Sequence, residues 1–295
     1  MRPMCKTGFS LKQYINHKSK KGFFVSGLLL LSIICTTGAM AQGNLLITPR
    51  RVVFDGARRV MELNLANTGQ DTAKYNVSII QYRMREDGSF EEITQPDPGQ
   101  NFADKNIRFF PRTVTLGPNE AQVVKMQVTN TDKLTPGEYR SHVYFRAVPN
   151  QVALGEEEIL RDSTAVSVKL VPIFGITIPV IIRLGESTTK MTLSDLKLAM
   201  VNDTTNRLEI TFNRTGNMSV YGDLKVFYVS PSGMATLVGV VNGIAVYTPN
   251  TVRRFRMDLY KKVKVDYRTG SLMVTYSAQS DTKPEKFAEA ELKLK

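Results

Sequence analysis

Hydrophobic and polar residues alternate with a period of two along almost every patterned segment of the chain. Turn-forming pairs such as Asp55-Gly56, Asp87-Gly88 and Pro136-Gly137 separate these segments. A period of two places successive side chains on opposite faces of a strand, and repeated short strands with turns between them are typical of β-sandwiches and barrels. The sequence therefore predicts an all-β protein. The alternating segments are Val60–Asn67, Lys74–Met84, Ala121–Asn130, Tyr139–Val148, Arg207–Thr215, Tyr221–Ser230 and Ser271–Gln279.

One apolar run does not fit a central strand. The segment Val171–Arg183, VPIFGITIPVIIR, contains Pro172, Gly175 and Pro179. Proline cannot donate a hydrogen bond to a sheet ladder, so such a segment suits a sheet edge. A long apolar edge is an aggregation hazard unless it pairs with an extended strand of another protein. The alternative is that the run forms two ordinary buried strands of the chain's own sheet.

A polar, turn-forming connector divides the chain into two domains. Leu184–Thr189 follows the apolar run, and alternation restarts at Met191. We therefore expect two β-sandwich domains, over residues 42–184 and 185–295. Within the first, residues 149–164 are polar, acidic and aperiodic, which indicates a long loop that is either functional or disordered.

The N-terminus has the order of a secretory signal peptide. Residues 1–22 contain six Lys/Arg and no acid, Phe23–Cys35 is a short apolar run, and Ala39-Met40-Ala41 offers small residues around a cleavage site. An apolar run of about 13 residues is short for a membrane span. We expect cleavage near Ala41 and export to the periplasm, with a retained anchor as the alternative.

The composition offers little for catalysis or cofactor binding. Both cysteines, Cys5 and Cys35, precede the expected cleavage site, and beyond it the one histidine is His142, in the middle of an apolar strand pattern. The pattern predicts no disulfide, no cofactor and no metal site of the usual ligand types. No catalytic motif appears, so the chain is predicted not to be an enzyme. A carbohydrate-active enzyme is further disfavoured by the absence of tryptophan.

The arrangement of arginines is instead suited to binding a carboxylate. The net charge is +12, but the sequence has no dense block of Lys and Arg residues, so we expect no nucleic-acid partner. Four arginines, Arg50, Arg51, Arg58 and Arg59, flank the VVFDG turn. Arg51 directly precedes residues that are apolar on both faces of a strand. An arginine beside a buried edge can hold a carboxylate through two parallel hydrogen bonds.

Four stretches, taken in order, resemble the PapD-like periplasmic pilus (fimbrial) assembly chaperones. TPRRVVFDGARRVMELNLANTG resembles the opening strands of that family, and EYRSHVYFRAVP resembles its sixth strand. The polar loop with Thr164–Arg183 is similar to its F1–G1 loop and G1 strand, and NRTGNMSVYGDL is similar to its second domain. The resemblance covers essentially the whole chain after the leader, and GITIPVIIR looks closer to the archaic or alternate branch.

This resemblance implies a fold and a function. Family members are two immunoglobulin-like β-sandwich domains set at an angle, like a boomerang. They hold pilin-like subunits that lack their last strand, by donor-strand complementation, until an outer-membrane usher exchanges the subunit into the fibre. The alternative is an exported immunoglobulin-like structural or adhesive module that assembles permanently through the same edge. Without a client, self-association through that edge is also expected.

The resemblance also assigns residues. Arg51 matches the arginine that holds the subunit's C-terminal carboxylate. Pro179 stands where the family has a second basic residue, so Arg112, Arg140 or Lys169 completes the anchor, or Arg51 acts alone. The donor strand, about residues 164–183, presents its apolar row to the subunit. That row is Val166, Val168, Leu170, Phe174 and Ile176.

Overall fold

Strands account for nearly all regular structure of the chain, as the alternation predicted. The computed structural model describes residues 45–149, 172–202, 204–279 and 285–294. Within this part of the chain the regular elements are seventeen β-strands and two single-turn 3-10 helices. No helix in the described ranges is long and apolar enough to cross a membrane. The predicted all-β fold class is confirmed.

The first ten strands form two sheets that pack face to face. One sheet has the order β1-β3-β8-β6. The other has the order β2-β10-β9-β4, and both β5 and β7 pair with β4. The 3-10 helices are Asp104–Asn106 and Thr131–Lys133. The strands are β1 (Leu45–Thr48), β2 (Val52–Phe54), β3 (Val60–Asn67), β4 (Ala73–Met84), β5 (Phe90–Ile93), β6 (Ile107–Phe110), β7 (Thr113–Leu116), β8 (Ala121–Val128), β9 (Gly137–Val148) and β10 (Gly175–Leu184).

The remaining strands form a second pair of sheets. A three-stranded sheet has the order β11-β12-β15, and a four-stranded sheet has the order β14-β13-β16-β17. The strands are β11 (Lys190–Val201), β12 (Thr205–Thr215), β13 (Val220–Val229), β14 (Ala235–Val246), β15 (Val252–Asp258), β16 (Ser271–Ala278) and β17 (Lys286–Lys293).

Each pair of sheets encloses its own hydrophobic core. Buried residues between Leu45 and Ile182 make the first core, and buried residues between Met191 and Ala288 make the second. In the second, the rings of Phe212 and Tyr276 meet edge to face with centroids 5.1 Å apart. Burying one large apolar side chain is worth about 1.5–3 kcal/mol, so each core can stabilise its own sandwich. Among the buried residues the first core ends at Ile182 and the second begins at Met191, and the domain boundary at residue 184 stays a prediction.

Strand β10 is partnered along one side and only partly along the other. It pairs antiparallel with β9 over its whole length, from Gly175–Arg146 to Leu184–Gly137. On its other side it pairs parallel with β2, and only over Val180–Ile182. Over Gly175–Pro179 no described residue pairs with that second side. We call the unpaired side of Gly175–Pro179 the open edge.

The register explains how proline is tolerated in this strand. The amide of Ala147 on β9 donates to the carbonyl of Phe174 at 2.9 Å. In an antiparallel pair, hydrogen-bonded positions alternate, so the backbone groups of residues 175, 177 and 179 point away from β9. The missing N–H of Pro179 therefore costs no hydrogen bond to β9. The proline-marked run is a strand of this chain's own sheet and also an edge.

Candidate functional site

A buried carboxylate lies where the first sandwich meets the second. The side chain of Glu138, on β9, has no exposed surface. Its two oxygens are bound by Arg140 Nη2 at 2.7 Å and Arg183 Nη2 at 3.1 Å. The backbone amide and hydroxyl of Ser219, just before β13, also donate to Glu138 Oε2, at 3.0 and 2.7 Å. Glu138 thus joins the two sandwiches.

The charge of Glu138 is stabilised by these partners. Burial alone would raise the pKa of its carboxyl, but Arg140, Arg183 and the Ser219 hydroxyl together lower the pKa to about 2. Buried charges are tolerated when they are paired and hydrogen-bonded, as here. Glu138 therefore stays ionised at neutral pH and holds both arginine side chains in place.

Two guanidinium nitrogens of Arg140, Nε and Nη2, form hydrogen bonds within this network. Its guanidinium donates to Ser219 Oγ at 2.6 Å as well as to Glu138. It also lies 3.6 Å from the centroid of the Tyr247 ring, a close cation–π contact. Arg140 is buried. It can therefore contribute positive potential to its surroundings while its Nε and Nη2 groups stay bound to Glu138 and Ser219.

Arg51 lies beside this network but lacks an acidic partner. It directly precedes β2, is partly buried, and its guanidinium lies 4.6 Å from the centroid of the Tyr221 ring. Within the described ranges no carboxylate forms an ion pair with it. Burial first, then Arg140 and Arg183, lower the pKa of Arg51 to about 10. A bound carboxylate would offset both effects through two parallel hydrogen bonds.

The structure brings together three positions that the sequence suggested separately. Val52 pairs with Val180 in the parallel ladder, which sets Arg51 beside Pro179. Arg51, Pro179 and Arg140 line one small cavity of about 40 Å³, together with Tyr221 and Tyr247. The site is therefore a cationic corner at the end of the open edge.

The other two candidate bases are not at this corner. Arg112 is exposed, lies 5.5 Å from the Phe109 ring, and does not line the cavity. Lys169 lies outside the described residues. Of the positions proposed to complete the anchor, Arg140 is the one that the structure places next to Arg51.

The expected donor row is described only at its end. Val166, Val168 and Leu170 lie outside the described residues. Phe174 has 52% of its surface exposed. Ile176 is partly buried against the first core, on the same side of β10 as the buried Ile178. The apolar row of β10 thus runs from the protein's own core to an exposed end.

His142 lies in aromatic and buried surroundings. It is buried among aromatic rings, with its centroid 5.0 Å from that of Tyr82 and 6.1 Å from that of Tyr247. Burial and the nearby charge of Arg140 lower the pKa of its imidazole to about 3. Among the described residues no group of three His, Cys, Asp or Glu side chains could hold a metal ion.

Sequence reasoning missed most of the residues that support Arg51. Glu138 and Arg140 alternate on one face of β9 within an apolar pattern, and buried charges in such a pattern signal an internal ion pair. Ser219, Tyr221 and Tyr247 come from the second sandwich, and no local pattern marks them. Their role depends on how the two sandwiches meet.

Comparisons with known proteins give remote similarities. No family model and no curated protein matches the chain. Among solved structures, the YadV chaperone is 13% identical with a TM-score of 0.44, over 84% of this chain and 99% of that one. The CupB2 chaperone of Pseudomonas aeruginosa is 13% identical with a TM-score of 0.40, over 85% and 100%. The E. coli chaperone DraB is 13% identical with a TM-score of 0.39, over 86% and 97%.

Proposed function

We propose that this protein is a periplasmic chaperone that holds pilus subunits by donor-strand complementation and delivers them to an outer-membrane usher. The observation that carries the proposal is that Arg51, a partly buried cation that forms no ion pair with a described carboxylate, lies at the end of the open edge of β10. An edge that accepts a strand and a cation that accepts its terminus together make a receptor for the end of an extended chain.

The register sets the direction of the bound strand. A strand added beside Gly175–Pro179 continues the line of β2 and meets Arg51 next to Pro179. If its C-terminal carboxylate is to reach Arg51, it must run parallel to β10. The backbone groups of Gly175 and Thr177, which point away from β9, then provide its hydrogen bonds.

The apolar row supplies the affinity. Phe174, and the row that precedes it in sequence, would insert into the groove that a missing strand leaves in the subunit. Each large side chain seated there contributes about 1.5–3 kcal/mol before the cost of ordering is subtracted. Specificity follows from which alternate side chains of the row fit the groove.

In this proposal Arg51 contacts the carboxylate directly and Arg140 acts at a distance. Pro179 adds no charge, and Nε and Nη2 of Arg140 are bound to Glu138 and Ser219. Arg140 and Arg183 raise the positive potential at Arg51, since both of them lower the pKa of Arg51. A carboxylate is therefore favoured at Arg51 by more than the one guanidinium.

Capture of a subunit from the periplasm tests the proposal. Tagged protein is purified with its bound partners, which mass spectrometry identifies, and purified fibres are probed for the tagged chain. We expect a small β-rich subunit that lacks one strand, and no tagged chain in the fibre. Failure to capture any such subunit would contradict the proposal. Stable incorporation into the fibre would favour the permanently assembled module instead.

A further inference from the structure

Arg51 forms part of the wall of two cavities that differ greatly in size. The cavity on the Pro179 side has a volume of about 40 Å³. That is close to the volume of a single water molecule in the liquid, about 30 Å³. On the other side lies a groove of about 620 Å³, within the range of about 300–1,000 Å³ that is usual for ligand sites. The groove is thus much the larger of the two spaces that Arg51 lines.

The groove leads from Arg51 onto the second sandwich. Its lining includes Lys190 at the start of β11, Tyr221 on β13, and Glu285 and Lys286 at the start of β17. The Tyr221 ring faces the Arg51 guanidinium and also lines the small cavity, so it separates the two spaces. A chain end that reaches Arg51 along the open edge also reaches a residue of the wall of this groove, because Arg51 lines both spaces.

Two of the cations along the groove have no acidic partner among the residues that the structure describes. Arg183 is paired with Glu138, and Lys286 Nζ lies 2.8 Å from Glu289. Arg51 and the exposed Lys190 form no ion pair in that part of the chain. Glu285 is the single carboxylate in the lining. Among the described residues, the groove thus presents two positive charges, Arg51 and Lys190, that form no ion pair.

We infer that this groove binds the last residue of the client and selects an acidic side chain there: Arg51 holds the terminal carboxylate and Lys190 pairs with the carboxylate of a terminal Asp or Glu. This inference rests on the proposed function and adds a specificity that the anchor alone does not have. A neutral terminal residue would still bind at Arg51 but would leave Lys190 without a partner.

Peptide binding measured by NMR titration of the labelled protein tests the inference. The probes are acetyl-Val-Thr-Val-Thr-Val-Asp and the same peptide ending in Asn, both with free C-terminal carboxylates, and the Asn peptide as its C-terminal amide. We expect the Asp peptide to bind about two- to fivefold more tightly than the Asn peptide, as for an exposed ion pair. The amide should bind more weakly than either.

Two lysines on the same strand make the matched comparison. Lys190→Ala should abolish the preference for Asp over Asn. Lys197→Ala removes a lysine from β11 that lines a different cavity, and it should leave the preference intact. Both lysines are exposed, so neither change threatens folding. A preference that survives Lys190→Ala, or no preference in the unaltered protein, would overturn the inference.

The same titrations test the proposed carboxylate anchor, Arg51, separately from the selectivity for an acidic side chain. Arg51→Ala should weaken both free-acid peptides and remove the advantage of the Asn peptide with a free C-terminus over its C-terminal amide. If it does so while Lys190→Ala changes nothing, the anchor stands and the acidic selectivity is wrong. If Arg51→Ala has no effect, or if no peptide binds, the anchor itself is contradicted, and the selectivity with it.

Discussion

Val52 on β2 pairs in parallel with Val180 on β10, and this pairing sets Arg51 beside Pro179. Strand β2 covers the side of β10 from Val180 to Ile182, while residues before Val180 keep that side open. The cation therefore lies where the chain's own edge strand stops and a visiting strand can begin. In the proposed function, the carboxylate anchor and the strand-accepting edge form one continuous site.

Removing Arg51 should impair capture without impairing the fold. We expect Arg51→Ala to weaken subunit binding at least tenfold, because a charge-assisted, bidentate contact is lost. The free energy of unfolding should change by about 1 kcal/mol or less, since Arg51 forms no ion pair with a described carboxylate and its contact with the Tyr221 ring is a single cation–π contact. Binding titration and chemical denaturation measure the two quantities. Arg58→Ala, a nearby exposed arginine, is the control and should alter neither. A large loss of stability on Arg51→Ala would mark Arg51 as structural.

The exposed end of the apolar row offers a second test. Phe174→Asp places a charge where the side chain should enter a dry groove of the subunit, so capture should fall sharply while the melting temperature stays within a few degrees. Phe110→Asp is the matched control, because Phe110 is also exposed but lies on β6 of the other sheet. Equal capture by Phe174→Asp and the unaltered protein would exclude Phe174 from the donor row.

Breaking the buried network of Glu138, Arg140 and Arg183 should lower the free energy of unfolding substantially. Glu138→Gln leaves Arg140 and Arg183 without their counter-charge, and loss of one partner from a buried ion pair typically costs about 3–5 kcal/mol. Urea denaturation measures this loss. Glu62→Gln, in the exposed Glu62–Lys125 pair, should cost less than about 1 kcal/mol. Similar losses in both variants would contradict the role of Glu138.

The same carboxylate should give stability that depends on pH. Its pKa is lowered to about 2 in the fold and is close to 4.5 when unfolded, so its stabilising effect is complete above about pH 5. The effect is lost as the pH falls through 4 toward 2, where the unfolded chain takes up the proton first. Denaturation curves between pH 6 and 2 should show this slope in the unaltered protein and a smaller one in Glu138→Gln.

The titration of His142 should change the free energy of unfolding at higher pH than the titration of Glu138 does. Its folded pKa of about 3 lies below the ordinary value of 6.5, so the unfolded state binds more protons between these values and stability falls as the pH drops from 6.5. We expect His142→Phe to reduce this slope by up to about 1.4 kcal/mol per pH unit. Tyr82→Phe alters the same cluster without removing the imidazole and should retain the slope. An unchanged slope in His142→Phe would mean that the imidazole titrates normally.

The sequence predicted strands best where both faces alternate clearly. Strands such as β4, β8 and β9 follow the expected pattern closely. Strand β14 was missed, because Gly239 and Gly243 interrupt its alternation. At Gly239 a Cβ atom would lie 2.5 Å from Met257 Cε, so the glycine serves close packing that no local pattern reveals. Strand β17 was missed because its exposed charged residues obscure the period of two.

The residues of the candidate site also differ in whether the sequence marks them. Arg51 and Pro179 could be selected from the sequence because each violates a local expectation, a charge beside an apolar strand and a proline within one. Tyr221 and Ser219 could not, since they approach Arg51 and Glu138 only through the contact between the sandwiches. Residues that act across such a contact carry no signature in their own segment.

Strand β2 has only three residues, so Arg51 marks a fixed position beside β10 from which the residues of a bound strand can be counted. A visiting chain that stops at that guanidinium has its final residue fixed in space, and side chains of an extended chain face alternate sides at every step. Which of its residues face inward is then decided by counting back from its end. In the proposed function, lengthening a client by one residue at its terminus would invert every inward and outward position, so the protein would discriminate between clients by length as well as by shape.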